Sequence, residues 1–310
     1  LQIGELMAII QYILHIMHAF FMMSMIFSFL PRAEVSARRI EAILSRPVSI
    51  GSNTASVSFP NQASATVTFK EVSFRYPGAS EPALCDISFT SASGKTTAII
   101  GSTASGKTTL LNLLMRFYET EKGTILIDGV DIRSADLQEV RAKIGYATQK
   151  AMVFTGTVKE NIRFGREEIS DAHIERAMRI AQVTPFVEAM PNKADTVLAQ
   201  GGTNLSGGQR QRLSIARAIA GDQPILLFDD TFSALDFKTD AKLRSALRAE
   251  LKNKTILIVA QRVATIMDAD QILVLKNGLL VGKGTHAQLM QDCPEYREIV
   301  FSQLSEEEIA

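Results

Sequence analysis

The chain has 310 residues, a formal net charge of zero and a hydrophobic content of 46%, which suits one large domain or one domain with an appendage. A neutral chain gives no support for binding through a general basic surface, so no nucleic-acid partner is expected. The two cysteines, Cys85 and Cys293, lack metal-ligand partners at the usual spacing and are expected to be reduced cytosolic thiols.

The first predicted element is a membrane-spanning helix. Residues 6–30 contain no Asp, Glu, Lys or Arg, and a run of this length can cross about 30 Å of hydrocarbon. A signal peptide fits less well, because no basic residue precedes the run, the run is too long and no cleavage site follows. A buried core helix is the alternative. Arg32, Arg38 and Arg39 follow directly, which places the C-terminal end of the span in the cytoplasm.

Polar and methionine side chains share one stripe of this helix, namely Gln11, His15, His18, Met22 and Met25. Polar groups inside a membrane face other protein or a water-filled cavity. Two roles stay open, hydrogen bonding to neighbouring helices or lining a transport pathway. Because one helix cannot form a pathway, and because the chain begins at Leu1 rather than at a methionine, we expect a longer protein with further helices.

Pro31 is expected to break or bend the helix. Residues 33–44 then resume an amphipathic helical pattern. Residues 47–65 are rich in Ser, Asn and Ala and include two prolines, which is the composition of a linker.

From residue 66 the pattern becomes that of strands alternating with helices. Residues 168–220 are predicted to be mostly helical. Strands are predicted at 66–69, 72–76, 84–89, 97–100, 123–129, 144–147, 225–228 and 255–260. Apolar strands alternating with helices indicate an α/β fold with a parallel sheet covered on both faces.

The turn after the strand at 97–100 has the P-loop pattern, with a helix following it. Its glycines let backbone N–H groups surround the β-phosphate, and the helix N-terminus adds partial positive charge. Lys107 is expected to reach the β- and γ-phosphates, and the Thr108 hydroxyl to bind Mg²⁺. The predicted ATP-contacting residues are Gly101, Ser102, Thr103, Ala104, Ser105, Gly106, Lys107, Thr108 and Thr109.

Two motifs downstream complete a nucleotide site. The apolar strand at 225–228 ends in Asp229, which is expected to hold Mg²⁺ directly or through water, as in a Walker B motif. The segment Leu205–Gln209 reads Leu-Ser-Gly-Gly-Gln and opens a helix. Its serine hydroxyl and glycine N–H groups form a second phosphate cradle, whose predicted nucleotide contacts are Ser206, Gly207, Gly208 and Gln209.

A glycine turn that merely opens a helix is the alternative for this second cradle. One nucleotide cannot easily occupy both cradles of one chain. We therefore expect a head-to-tail dimer in which each signature segment closes over the partner's P-loop.

On these motifs the sequence resembles the ABC transporter family, specifically exporters whose membrane helices precede the nucleotide-binding domain on one chain. The resemblance covers nearly the whole chain. It implies a P-loop NTPase fold with antiparallel β and helical subdomains, ATP hydrolysis with Mg²⁺, and a multi-pass protein in the cell membrane that contacts lipid and has a cytoplasmic nucleotide-binding domain. The implied divisions are a last transmembrane helix with its cytoplasmic extension (1–46), a linker (47–65), the nucleotide-binding domain (66–305) and a tail (306–310).

The resemblance also assigns roles outside the three motifs. Tyr76 looks like the aromatic residue that stacks on adenine. Gln149 looks like the glutamine that contacts Mg²⁺ and the attacking water and senses the membrane domain. Ser233–Asp236 looks like the loop that communicates between the two sites.

Three positions depart from the family pattern. The catalytic glutamate that follows the Walker B aspartate is Asp230 here, one methylene shorter, which withdraws its carboxylate by about 1.5 Å. The switch histidine after the last core strand is Gln261, which can donate a hydrogen bond but cannot become a cation. Gln200 replaces a glutamate common in exporters.

We interpret the changes at Asp230 and Gln261, beside an intact P-loop and signature segment, as those of one half of a heterodimeric exporter. Its own site, with Asp230, Gln149 and Gln261 as catalytic residues, binds ATP and hydrolyses it slowly, whereas its signature segment completes the partner's site. The alternatives are a homodimer with slow hydrolysis at both sites, a soluble or peripheral ABC ATPase without transport, and a catalytically silent regulatory module. The transported substrate is left open.

Overall fold

The computed structural model describes residues 3–47, 50–51, 57–60 and 64–303. The chain divides into two compact units, Leu1–Ser49 and Ile50–Ala310. The predicted tail, 306–310, lies outside the described residues, and so do parts of the predicted linker.

The first unit contains one helix, α1 (Ile3–Leu44). Its 42 residues span roughly 63 Å at about 1.5 Å per residue, and the helix is long and apolar enough to cross a membrane. The helix continues through Pro31, so a break at this residue is wrong. Proline removes one backbone hydrogen bond, to the carbonyl of Phe27, while the long helical segments on both sides keep theirs.

The second unit is built from the strands β1 (Val67–Phe74), β2 (Leu84–Ser91), β3 (Thr96–Gly101), β4 (Lys122–Ile127), β5 (Val130–Asp131), β6 (Ile144–Ala147), β7 (Gly156–Thr157), β8 (Val197–Leu198), β9 (Ile225–Asp229), β10 (Thr255–Val259), β11 (Gln271–Lys276) and β12 (Leu279–Gly284). Its helices are α2 (Lys107–Leu114), α3 (Leu137–Ala142), α4 (Val158–Arg163), α5 (Asp171–Ile180), α6 (Thr184–Val187), α7 (Gly207–Ala220), α8 (Phe237–Glu250), α9 (His286–Asp292) and α10 (Pro294–Gln303).

The described residues form a six-stranded main sheet in the order β12-β11-β3-β10-β9-β6. The five strands from β11 to β6 are parallel, and β12 pairs antiparallel with β11. Every residue of β9 and β10 is buried, because helices and a second sheet cover both faces of the parallel strands. The parallel core predicted from the apolar strands is confirmed.

A four-stranded antiparallel sheet, in the order β2-β1-β4-β5, packs its apolar face towards the main sheet. The two strands predicted at 66–69 and 72–76 are one strand, β1, whose pairing is irregular between Phe69 and Val72. Glu71 has φ of 52° there, so the strand is bulged rather than interrupted. Tyr76 therefore lies beyond the end of β1.

Helices α4 to α7 form a helical layer with the small β7-β8 ladder, and most of the predicted helical region 168–220 is helical. Within the predicted linker, the Val57 N–H donates to the Ser134 carbonyl at 2.9 Å. The Lys143 ammonium lies 4.8 Å from the centre of the Phe59 ring. Residues 57–60 are therefore packed against the rest of the second unit, to which they belong.

Candidate nucleotide-binding site

The P-loop connects β3 to α2 at the carboxyl edge of the main sheet. Gly106 caps α2 with φ of 100°, a conformation that favours glycine. A Cβ at Gly106 would lie 2.5 Å from the Leu84 side chain, and one at Gly101 would lie 2.1 Å from the Leu275 carbonyl oxygen. Both positions therefore require glycine, and the loop stays tight against its neighbours.

Lys107 is the first residue of α2, and its side chain extends back into this loop. Its ammonium donates to the carbonyls of Gly101 at 2.8 Å and Ser102 at 2.6 Å. Burial lowers the pKa of Lys107, while the nearby charges of Asp230 and Asp229 oppose that shift. The cation is thus held where a polyphosphate would meet the loop.

Oxygen ligands suited to Mg²⁺ meet at the end of β9. The Thr108 hydroxyl donates to Asp229 Oδ1 at 3.0 Å, and the Tyr146 hydroxyl donates to Asp229 Oδ2 at 3.4 Å. Asp229 is only 2% exposed, and burial raises the pKa of its carboxyl. Mg²⁺ is commonly bound by one or two protein oxygens together with substrate phosphates. The Thr108 hydroxyl and the Asp229 carboxylate therefore fit the predicted metal.

Asp230 accepts hydrogen bonds from two amides. The Gln261 Nε2 donates to Asp230 Oδ2 at 2.6 Å, and Gln149 Nε2 donates to the same oxygen at 3.4 Å. Asp230 has φ of 50°, a conformation that aspartate tolerates better than most residues, and burial raises the pKa of its carboxyl. The three residues predicted as catalytic therefore lie together, joined through one carboxylate oxygen.

The predicted adenine-stacking residue is tied to the P-loop helix. The hydroxyls of Tyr76 and Thr109 lie 3.0 Å apart. The Tyr76 ring meets the rings of Phe74 and Tyr118 edge to face, with centroids 4.9 and 5.1 Å away. No sequence pattern indicated this bond, since the two residues are 33 positions apart.

The signature segment begins α7 with a capping box. The Ser206 hydroxyl accepts from the Gln209 N–H at 3.2 Å, and the Gln209 side chain accepts from the Ser206 N–H at 2.8 Å. Ser206 and Gly207 are exposed. Gln211 of α7 donates to the Thr148 carbonyl at 3.2 Å, next to Gln149. In the part of the chain that the structure describes, no hydrogen bond joins Ser206–Gln209 to the P-loop, and the exposed Ser206 and Gly207 leave the start of α7 open to solvent.

The remaining predicted loop, Ser233–Asp236, follows Asp230. Arg262 donates to the carbonyls of Ser233 at 3.0 Å and Leu235 at 3.3 Å. The Asp236 carboxylate accepts from the Thr239 N–H at 3.0 Å and caps α8. Gln200, the third departure, lies in a 3-10 turn before the signature segment.

Tyr146 and Arg262 were missed in the sequence. Tyr146 belongs to the predicted strand 144–147, and its place one residue before the strand's end pointed to the carboxyl edge. Arg262 follows Gln261 and donates to backbone carbonyls. Because every residue has a carbonyl, no sequence pattern indicates such contacts.

A cavity of about 310 Å³ opens beside the P-loop. Its lining includes Gly101, Ser102, Thr103, Lys107 and Gln261 from the predicted site, together with residues of β11 and α10. Charged, hydroxyl and amide groups converge at the carboxyl edge of parallel strands, which is the usual position of a ligand site in such sheets.

Comparison with known proteins shows which proteins this site resembles. Residues 84–233 match the protein-family model described as ABC transporter. An uncharacterized ABC transporter ATP-binding protein of Mycobacterium tuberculosis is 42% identical over 307 residues, covering 98% of this chain and 52% of the relative. An ATP-dependent lipid A-core flippase of Vibrio vulnificus is 41% identical over 246 residues, covering 79% and 42%.

A solved structure, described as a bacterial Atm1-family ABC exporter with ATP bound, superposes with a TM-score of 0.86 at 32% identity, covering 99% of this chain and 53% of that one. The chain spans about half the length of the curated relatives it matches.

Proposed function

Residues 84–233 belong to the ABC transporter family, and from this premise we propose that the chain is the ATP-binding, energy-coupling part of an exporter whose own site hydrolyses ATP slowly. Family membership confirms the predicted fold class and ATPase assignment. In the proposed cycle, ATP closes a head-to-tail dimer of nucleotide-binding domains, and closure reorients membrane helices to export a substrate.

Within its own site, this chain's residues bind and orient the nucleotide. Lys107 and the loop N–H groups hold the phosphates, and Tyr76 stacks on the base. Thr108 and Asp229 would hold Mg²⁺, which supplies charge neutralisation for phosphoryl transfer. Gln149 and Asp230 orient the attacking water.

The observation that carries the unequal-site proposal is the 2.6 Å hydrogen bond from Gln261 to Asp230. The carboxylate is already one methylene short of the water that a glutamate would reach, and its Oδ2 is shared by two amide donors. Misplacement on this scale costs on the order of 100-fold in rate. We therefore assign the slow step to the short reach of the Asp230 carboxylate and to the absence of a cationic donor at Gln261.

The intact signature segment supports a contribution to the partner's site. Its capping box orders Ser206 and the first turn of α7. The exposure of Ser206 and Gly207 leaves the N–H groups at the start of α7 available to a phosphate on another chain. The partner we propose is therefore a second ABC half-transporter with its own catalytic glutamate.

The test measures ATPase activity of the full-length protein alone and mixed with candidate ABC half-transporters that carry a glutamate after the Walker B aspartate. We expect robust turnover only in the mixture. Strong turnover without a partner, abolished by Asp230→Asn, would overturn the proposal in favour of a homodimer.

A matched pair of cap variants tests the signature segment. Ser206→Ala and Thr285→Ala each remove the serine or threonine of a capping box, in α7 and α9 respectively, and each costs about 1 kcal/mol of stability. In the mixture only Ser206→Ala should abolish turnover. Equal loss of activity in both variants would assign the effect to folding.

A further inference from the structure

We propose that Gln303, at the end of α10, is a positioning residue for the hydrolytic centre, because its side chain fixes the backbone that aims Gln261 at Asp230. The inference rests on the proposed function of that centre as an ATP site. The inference gives a role in the geometry of hydrolysis to α10, a helix that contains none of the sequence motifs.

The Gln303 amide makes two hydrogen bonds to the segment that follows β10. Its Nε2 donates to the Gln261 carbonyl at 2.8 Å. Its Oε1 accepts from the Val263 N–H at 2.9 Å. One donor faces a carbonyl and one acceptor faces an N–H, so only this orientation of the amide satisfies both partners.

These bonds connect directly to the catalytic carboxylate. Gln261 has its backbone held by Gln303 and its side chain bonded to Asp230 at 2.6 Å. The Gln261 side chain is itself exposed, so packing alone does not fix its direction. The backbone hydrogen bonds from Gln303 supply the restraint that burial does not.

The sequence of α10 explains why Gln303 reaches this segment. Tyr296, Val300 and Gln303 are spaced by four and three residues and so share one face of the helix. Tyr296 and Val300 are both fully buried, and Val300 belongs to the same apolar core as Val263. This face is therefore anchored against the turn that begins at Val263, and its last residue is Gln303.

The cavity beside the P-loop supports the same connection. Gln261 and Gln303 line it together with Lys107. The end of α10 thus borders the space next to the phosphate-binding loop, where a change in its position would alter the placement of the reacting groups.

The test is a double-mutant cycle in the full-length protein, measuring single-turnover hydrolysis at this chain's own P-loop and the Kd for ATP. We expect Gln303→Ala to lower the hydrolysis rate by about threefold to tenfold, the effect of losing one or two hydrogen bonds, with the Kd for ATP unchanged. In a Gln261→Ala background the same substitution should have no further effect. Gln303→Glu should behave like Gln303→Ala, because a carboxylate cannot donate to the Gln261 carbonyl.

Arg297→Ala is the matched control. Arg297 donates to the carbonyls of Met290 and Gln291, so its loss weakens the attachment of α10 without touching Gln261. It should lower thermal stability and leave the hydrolysis rate unchanged.

Additive effects of Gln303→Ala and Gln261→Ala, or an unchanged rate in Gln303→Ala, would overturn the inference. The cycle compares rates within one site, so its outcome does not depend on whether that site is slow or fast. Partner dependence, measured separately, decides the proposed function.

Discussion

At the scale of single residues, our proposal is that Asp230 and Gln261 limit the chemistry of this chain's own site. Asp230 is 8% exposed and carries the charge that a general base needs, yet its side chain ends one methylene early. Gln261 bonds to it at 2.6 Å but cannot be protonated at neutral pH. The proposed deficit is therefore the short reach of the Asp230 carboxylate and the missing positive charge at Gln261, and two substitutions can restore both.

We predict that Asp230→Glu combined with Gln261→His raises hydrolysis at this chain's own P-loop by up to ~100-fold. Glutamate extends the carboxylate towards the attacking water, and histidine supplies a donor that can carry positive charge. Single-turnover hydrolysis of ATP bound to this chain is the measurement.

The control for this gain is the same pair of substitutions with Lys107→Ala, in which phosphate binding is lost and no gain should appear. A double variant no faster than the unmodified protein would contradict the assignment of slow turnover to these two positions.

The bond between the Tyr76 and Thr109 hydroxyls carries a second prediction. At 3.0 Å, it fixes the ring before the nucleotide arrives, and a net contribution of about 0.5 to 1.5 kcal/mol corresponds to about twofold to tenfold in ATP affinity. Tyr76→Phe and Thr109→Val should each weaken ATP binding by this factor, and the double variant should be no weaker than the singles.

Titration of ATP binding to the four proteins measures this coupling. Tyr118→Phe removes a hydroxyl from the same aromatic group and should bind ATP normally. Fully additive losses would show that the bond does not orient the Tyr76 ring for its proposed stacking on adenine.

At the scale of elements, the sequence predicted what local pattern determines. Apolar runs indicated the parallel strands, and glycine spacing indicated the P-loop between β3 and α2, because both features are encoded within a few residues. The bulge at Glu71 and the contact from Gln303 to Gln261 could not be predicted from the sequence, because each depends on residues that the tertiary fold brings together. The site roles taken from the family resemblance stay predictions.

The α9–α10 pair has a pH-dependent contact. His286 Nδ1 lies 2.8 Å from the Tyr296 hydroxyl, and burial lowers the pKa of His286 below 6.5, with Asp268 opposing the shift. Below pH 6.5 the unfolded chain therefore takes up a proton more readily than the folded chain. Stability from this group is present above that pH and is lost as the pH falls towards the folded value.

We expect the thermal midpoint of the detergent-solubilised protein to fall between about pH 7.5 and about pH 5.5, and His286→Gln to reduce that fall. Glutamine keeps a partner for the Tyr296 hydroxyl but has no proton to gain. An unchanged pH dependence in His286→Gln would assign the effect to other groups.

At the scale of the whole molecule, we propose that α1 crosses the membrane and that the nucleotide-binding domain works in the cytoplasm. The predicted membrane location is confirmed by the apolar α1 and by likeness to an exporter over 99% of the chain. Every described residue of α1 is exposed, so its apolar side chains need lipid or other helices around them.

The dimer we propose has one slow and one fast site, and this asymmetry has a direct chemical readout. ATP bound at this chain's P-loop meets Asp230 and Gln261, whereas ATP bound at the partner's P-loop meets the exposed signature segment of this chain. After one round of hydrolysis in the mixed complex, we expect this chain to retain ATP and its partner to hold ADP. Photo-crosslinking of labelled nucleotide to each chain, followed by analysis of the attached phosphates, measures the distribution.

The same complex carrying Asp230→Glu and Gln261→His should hold ADP on both chains, because both sites then have the reach and charge for hydrolysis. ADP on both chains of the unmodified complex would contradict the asymmetry and favour equivalent sites. A complex that retains ATP on both chains would show that this signature segment fails to complete its partner's site, since that site depends on Ser206 and the N–H groups beside it.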